Sequence, residues 1–186
     1  CTVCDEWHNF QNFAEWYYSE LNTLKSLENT TYDVDKDLKG GMEYSEGNCI
    51  LLPYKLNNFI QNRVFSVGLG YVKNQGNPNN LITTTVSLLG KQVYIGLHES
   101  QEESDEAYNI AKNYVNRKMA ESYLNLGLIT KDTYDRILRT ENKYTIEDEN
   151  KLFLRRDTLK DRIDGLFVKK ENLLQRCKHK VNSEIY

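Results

Sequence analysis

Tyr32-Asp33-Val34-Asp35-Lys36-Asp37-Leu38-Lys39-Gly40-Gly41, then Cys49-Ile50-Leu51-Leu52-Pro53 and Tyr54-Lys55-Leu56-Asn57, form the stretch whose reading decides the fold. Residues 32–38 alternate, with Tyr32 and Val34 set against Asp33, Asp35 and Asp37, which is the period of a short strand. Lys39-Gly40-Gly41 supplies turn residues, and Cys49 to Leu52 is a second short apolar run. Pro53 opens a helix through about Gln61, because the N–H that proline lacks is unsatisfied in a first turn anyway. Upstream, Asn9 is an N-cap for a helix over 9–21, where Phe10, Phe13, Trp16, Tyr17 and Leu21 recur at helical spacing. That aromatic stripe reads as core. The order is helix, β-hairpin, helix.

Beyond a glycine- and asparagine-rich patch come three strand-like runs, near 69–73, 81–88 and 91–97. Ile82, Val86 and Leu88 fall on one face of the second, with Thr83, Thr85 and Ser87 on the other. In the third, Val93, Ile95 and Leu97 oppose Gln92 and Tyr94, and Leu89-Gly90-Lys91 is a hairpin link. An antiparallel sheet with one oily face needs a cover. The next segment offers one: Ser100 caps, Glu103 completes a capping box, and Ala107, Tyr108, Ile110, Ala111, Tyr114, Val115 and Met119 form an apolar stripe. A short helix over 131–139 follows Gly127, and 146–180 is helical, with Leu152, Leu159, Ile163, Leu166, Leu173 and Cys177 in a seam and Lys169, Lys170, Arg176, Lys178 and Lys180 near a basic end. The fold class is α+β. The expected division is 1–65, 66–124 and a helical tail over 125–186.

With 39% hydrophobic and 27% charged residues among 186, the chain has enough apolar matter to exclude disorder and too many interruptions for a membrane span. The net charge of −3 hides a segregation. Residues 1–47 carry ten acids and three bases, whereas 48–98 carry Lys55, Arg63, Lys73 and Lys91 and no acid. An acid-free stretch suits a surface that approaches phosphates, although strands are poor in acids in any case. Cys1-x-x-Cys4 is half of a zinc site with no second pair among Cys49, Cys177 and the scattered histidines, so zinc is not expected and the thiols read as reduced. No secretory leader is visible, so the expected compartment is the cytoplasm, the host's if the chain is phage-encoded. Opening at Cys1 without methionine, the chain is expected to lack its true start.

Asp35-Lys36-Asp37, Asn48 and Asn57 are the candidates for chemistry. A hairpin followed by a helix can hold one divalent metal, with one ligand from the first strand, another from the helix, and a general base beside the first. Residues 4–59 resemble the HNH endonuclease family, in the variant found in phage homing endonucleases. The resemblance lies in Cys4-Asp5-Glu6-Trp7, Phe10-Gln11-Asn12-Phe13-Ala14-Glu15-Trp16, Tyr32-Asp33-Val34-Asp35-Lys36-Asp37, Tyr44-Ser45, Cys49, Pro53 and Asn57. It implies an HNH-like ββα (His-Me finger) unit. Asp35 and Asn57 would then be ligands to Mg2+ or another divalent metal, Asn48 would orient the base, and Lys36 would stand where the family has its histidine base. The separations fit that layout: 12 residues from Lys36 to Asn48 and 22 from Asp35 to Asn57. Lysine has an ordinary pKa of about 10.4, and flanking Asp35 and Asp37 hold it charged, so weak or lost cleavage is expected.

Residues 68–119 resemble the plant ethylene-response-factor DNA-binding domain, through Gly70-Tyr71-Val72, Gly90-Lys91-Gln92-Val93-Tyr94-Ile95-Gly96 and Glu102-Glu103-Ser104-Asp105-Glu106-Ala107-Tyr108. The resemblance implies that the three-stranded sheet, not the helix, enters the major groove. The outward side chains would be Tyr71, Lys73, Thr83, Thr85, Ser87, Gln92 and Tyr94, with Lys91 at the turn. The expected function is double-stranded DNA binding by a relative of phage HNH homing endonucleases, with no membrane partner. Two alternatives stand beside it. One is an interaction module that retains the nuclease fold and docks a phage or host protein through 146–180; the other is an active endonuclease with lysine in place of histidine.

Overall fold

The computed structural model describes residues 1–25, 30–61, 71–73, 81–88, 90–141, 144–154 and 158–169. Its strands are β1 Thr2–Val3, β2 Tyr32–Asp35, β3 Glu43–Tyr44, β4 Ile50–Pro53, β5 Tyr71–Lys73, β6 Ile82–Leu88 and β7 Lys91–His98. The helices are α1 Phe10–Asn22, α2 Tyr54–Gln61, α3 Gln101–Asn125, α4 Lys131–Glu141 and α5 Ile146–Leu154, then α6 over 158–169. Helix and strand are mixed as α+β. Among the described residues no helix is long and apolar enough to cross a membrane. The chain forms two compact units, each drawn from two segments: 1–63 with 119–142, and 64–118 with 143–186. The helices expected as one tail after 125 are therefore shared between the units.

In the first unit β2 and β4 pair antiparallel, Asp35 opposite Ile50 and Tyr32 opposite Pro53. Side chains alternate along a strand. Tyr32 and Val34 accordingly pack on a cluster of Trp16, Cys49 and Leu51, while Asp33 meets α2 through Asn57. All four residues of β4 are buried, which explains a continuous apolar run where a half-exposed strand would alternate. Asn9 starts α1 by accepting the Gln11 N–H at 3.1 Å. Phe10 was expected in the core stripe, yet it lies in the first turn and is 69% exposed. Trp16 is the buried member, with Trp7 against it at 4.6 Å between ring centroids. Strand β2 stops at Asp35, short of the expected residue 38, and a 3-10 turn over Asp37–Lys39 follows. Gly40 closes that turn at φ 78°, a left-handed conformation that glycine adopts without strain.

The later segment of this unit is fastened by hydrogen bonds. Gly127, at φ 73°, ends α3, and the Leu128 N–H reaches back to the Tyr123 carbonyl at 2.9 Å. The Lys25 N–H donates to the Gly127 carbonyl at 2.8 Å, and the Tyr32 hydroxyl donates to the Leu128 carbonyl at 3.2 Å. Burial, reinforced by Tyr123 and Tyr17, pushes the Tyr32 hydroxyl up to about 12.

In the second unit the sheet order is β5-β6-β7, antiparallel throughout. Thr84, Val86 and Leu88 of β6 and Val93 and Ile95 of β7 are buried. Thr84 hydrogen-bonds Ser104 of α3 at 2.7 Å between oxygens, both residues being almost wholly enclosed, so α3 covers this face. The register steps from Thr84↔Gly96 to Thr85↔Tyr94, which leaves Ile95 as an extra residue. That bulge reverses the alternation, so Leu97, expected inward with Val93 and Ile95, is 42% exposed. Ser100 caps α3 by accepting the Glu103 N–H at 3.2 Å, and the Glu103 carboxylate accepts the N–H of Glu99 at 3.1 Å, one residue before the expected partner.

Helices α5 and α6 are held to α3. The buried Glu149 carboxylate accepts from Arg117 and from the Asn113 amide, the latter at 3.3 Å. The Tyr114 ring packs edge-on to Phe153 at 4.8 Å, and its hydroxyl donates to Asp164 at 2.7 Å. Of the expected seam, Leu152, Leu159 and Ile163 are buried in the chain itself and Leu166 is half-buried, while Phe167, not expected in the seam, is buried as well. The seam's remaining members, Leu173 and Cys177, and the basic residues Lys170, Arg176, Lys178 and Lys180 lie outside the described residues.

Candidate functional site

Strand β2 and helix α2 bring a carboxylate and an amide together. Asn57, on α2 and only 5% exposed, donates its Nδ2–H to Asp33 Oδ2 at 3.0 Å. Its Oδ1 is buried and has no hydrogen-bond partner among the described residues. Asp35 is buried two residues along, on the same face of β2 as Asp33 by strand alternation, and its Oδ1 accepts the Leu38 N–H at 2.8 Å. Asn57 thus reaches the face of β2 that carries Asp35, and the residue it grips there is Asp33. Strand parity is the signal in the sequence that marks Asp33, since it shares that parity with Asp35.

Lys36 follows Asp35 and is buried to 6% exposure. Its ammonium pairs with Asp37 Oδ1 at 2.5 Å and lies 5.7 Å from the centroid of the Tyr44 ring. The hydrogen bond to Asp37 raises the lysine above its ordinary value, outweighing the opposing effect of burial. At pH 7 the group is therefore an ammonium and has no lone pair with which to take a proton from water. Asn48 lies in the turn before β4, where its Nδ2–H donates to the Glu43 carbonyl at 3.3 Å and its N–H to the Ser45 carbonyl at 3.1 Å. No hydrogen bond joins it to Lys36 among the described residues. It packs so closely on Gly41 that a Cβ there would come within 2.8 Å of its own, which makes it a staple of the loop between β3 and β4.

On the sheet, Ser87, Lys91, Gln92 and Tyr94 are exposed, and Thr83 and Thr85 are half-buried. Thr85 stands opposite Tyr94, and Ser87 opposite Gln92. The backbone places Tyr71 opposite Thr84 and Lys73 opposite Ile82, while the side chains of these two residues lie outside what is described. Neither β6 nor β7 carries a carboxylate. Arg162 of α6 donates to the Tyr94 carbonyl at 3.1 Å, adding a guanidinium at the β7 edge that sequence periodicity gave no reason to place there. The described face offers hydroxyls, an amide and one lysine: good hydrogen-bonding capacity and thin phosphate neutralisation.

Cys1 is exposed, Cys4 half-buried and Cys49 buried, each as a free thiol. Burial raises the Cys49 thiol above its ordinary value. Among the described residues no group of three or more His, Cys, Asp or Glu is placed to hold a metal ion. Two carboxylates and an amide, the set on β2 and α2, are a different donor combination. Comparison of the chain with protein-family models, with curated proteins and with solved structures gives no match.

Proposed function

We propose that the chain is a DNA-binding protein related to the phage HNH homing endonucleases, with weak or lost metal-dependent cleavage. The observation that carries this reading is Asn57, which reaches back from α2 to the carboxylate face of β2 and leaves Oδ1 as a buried acceptor without a donor among the described residues. An enclosed amide oxygen of that kind costs about 1–3 kcal/mol if nothing meets it, and a cation is a partner it can accept. Asp35 and Asn57, with Asp33 beside them, suit a divalent ion such as Mg2+, which would stabilise charge developing on a scissile phosphate. The protonated Lys36 removes the general base, so binding outlasts catalysis. The acid-free, hydroxyl-lined face of β6 and β7 supports the DNA partner.

Fluorescence anisotropy of a labelled DNA duplex, titrated with salt, tests the binding. Affinity should fall steeply with salt, and Lys91→Gln should flatten the log–log slope by about one. An affinity indifferent to salt refutes phosphate contact. In parallel, nicking of supercoiled plasmid with Mg2+ or Mn2+ should be slow or nil. Fast nicking that Asp35→Ala and Asn57→Ala leave unchanged overturns the site.

A further inference from the structure

The second unit contains a cleft of about 650 Å3, at the end of β7 between α3 and α5. Its floor is apolar: Leu97 from the end of β7, Ala107 and Ile110 from α3, and Leu152 from α5. Its rim is acidic: Glu99, Glu103, Glu106 and Asp148, against one lysine, Lys151, and the half-buried imidazole of His98. That lysine is engaged with Glu147 at 3.1 Å, outside the lining, so it neutralises the rim poorly. Glu103 and Asp148 accept backbone N–H groups at the starts of α3 and α5. The side chains of Glu99 and Glu106 make no hydrogen bond or ion pair among the described residues, so capping does not account for them. The bulge at Ile95 turns Leu97 out toward this space.

We propose that this cleft binds a basic polypeptide segment in which an apolar side chain seats on the Leu97–Ile110–Leu152 floor between lysines or arginines held by the rim. The volume lies in the range of ordinary ligand sites, enough for a few residues. Charge complementarity selects the occupant. Four rim carboxylates repel nucleic acid and attract cations, while an apolar floor gives a bare cation nothing to bury. A metal ion is a poorer fit still, since among the described residues no three metal-ligating acids, histidines or cysteines converge. The inference does not rest on the nuclease-related reading: it uses other residues, and the cleft can be filled whether or not the sheet meets DNA.

The test uses the full chain and a short fluorescent peptide of alternating lysine and leucine, read by anisotropy at low salt. Three variants change exposed positions: Glu99→Gln with Glu106→Gln, Leu97→Ser, and the two sets combined. Each of the first two should weaken binding by about fivefold, through lost rim charge and lost apolar contact respectively. Spermine, equal in charge but without side chains, should compete weakly. Unchanged binding by the double glutamine variant overturns the proposal. So does an unaffected Leu97→Ser protein together with spermine competing as well as the peptide, because the cleft would then be a simple counter-ion sink. Far-ultraviolet circular dichroism on each variant separates misfolding from lost contact.

Discussion

A divalent ion on the β2–α2 face should stabilise the first unit, and Asn57 should decide by how much. An ion that binds only the folded chain, present at ten times its Kd, adds RT ln 11, about 1.4 kcal/mol. With a urea slope of about 2 kcal/mol/M, that is a midpoint shift of about 0.7 M. The chain's two tryptophans, Trp7 and Trp16, pack against each other at a tilt in the first unit, so their fluorescence reports that unit alone. In metal-free buffer, Asn57→Leu removes a hydrogen bond to the Asp33 carboxylate, about 1.5–3 kcal/mol, and also removes the orphan Oδ1, about 1–3 kcal/mol in the opposite sense. The two nearly cancel, so the apo variant should unfold close to wild type, while its Mn2+ increment drops to nothing. Asn57→Asp should do the reverse: repulsion from Asp33 lowers the apo midpoint, and the added carboxylate enlarges the metal increment. A wild-type midpoint indifferent to Mn2+ up to about 20 mM refutes the cation site. An Asn57→Leu protein that gains as much as wild type refutes the role of Asn57.

Lys36→His places a base of pKa about 6.5 beside Asp35, and Mn2+-dependent plasmid nicking should rise by about a hundredfold, with a pH profile climbing through that value; a flat profile would falsify the assignment of this position. Ile163→Ala in α6 empties a fully enclosed site and should cost about 2–5 kcal/mol by calorimetry of the second unit, whereas a loss under about 0.5 kcal/mol would mean that α6 is a detachable tail. Asp148 is held below its ordinary value by the Thr145 N–H and hydroxyl, so its contribution is complete above the unfolded carboxylate pKa, about 3.9, and is lost as pH falls through the lower folded value. Wild type should therefore lose more stability than Asp148→Asn between about pH 5 and pH 2 in urea titrations, and parallel curves would rule the linkage out.

Local signals were legible where local physics decides. Asn9 announces α1, Ser100 announces α3, and the run from Ile50 to Pro53 is apolar at every position because the hairpin is covered on both faces. Non-local effects were not legible. Nothing in the alternation of β7 marks Ile95 as the extra residue that turns Leu97 outward. An apolar stripe on α3 does not foretell that Lys112, Asn113 and Asn116 are also buried, since a helix enclosed on several sides loses the simple contrast of faces. At the site, spacing picked out Asp35 and Asn57, and period two would have added Asp33. The short reach of the Asn48 amide, which fixes it to Glu43, depends on loop geometry that residue counting does not contain.

Because each unit is assembled from two stretches of chain, order of synthesis matters. The first 63 residues leave the ribosome long before 119–142, which supply the Tyr123 carbonyl turn, Gly127 and Leu128 that tie down Lys25 and Tyr32. Until then the hairpin and its helices lack part of their wall and are exposed to proteases and chaperones. A subclone trimmed to 1–65 would carry the same deficit permanently, so a nuclease-like fragment expressed by itself is a poor surrogate for the intact polypeptide.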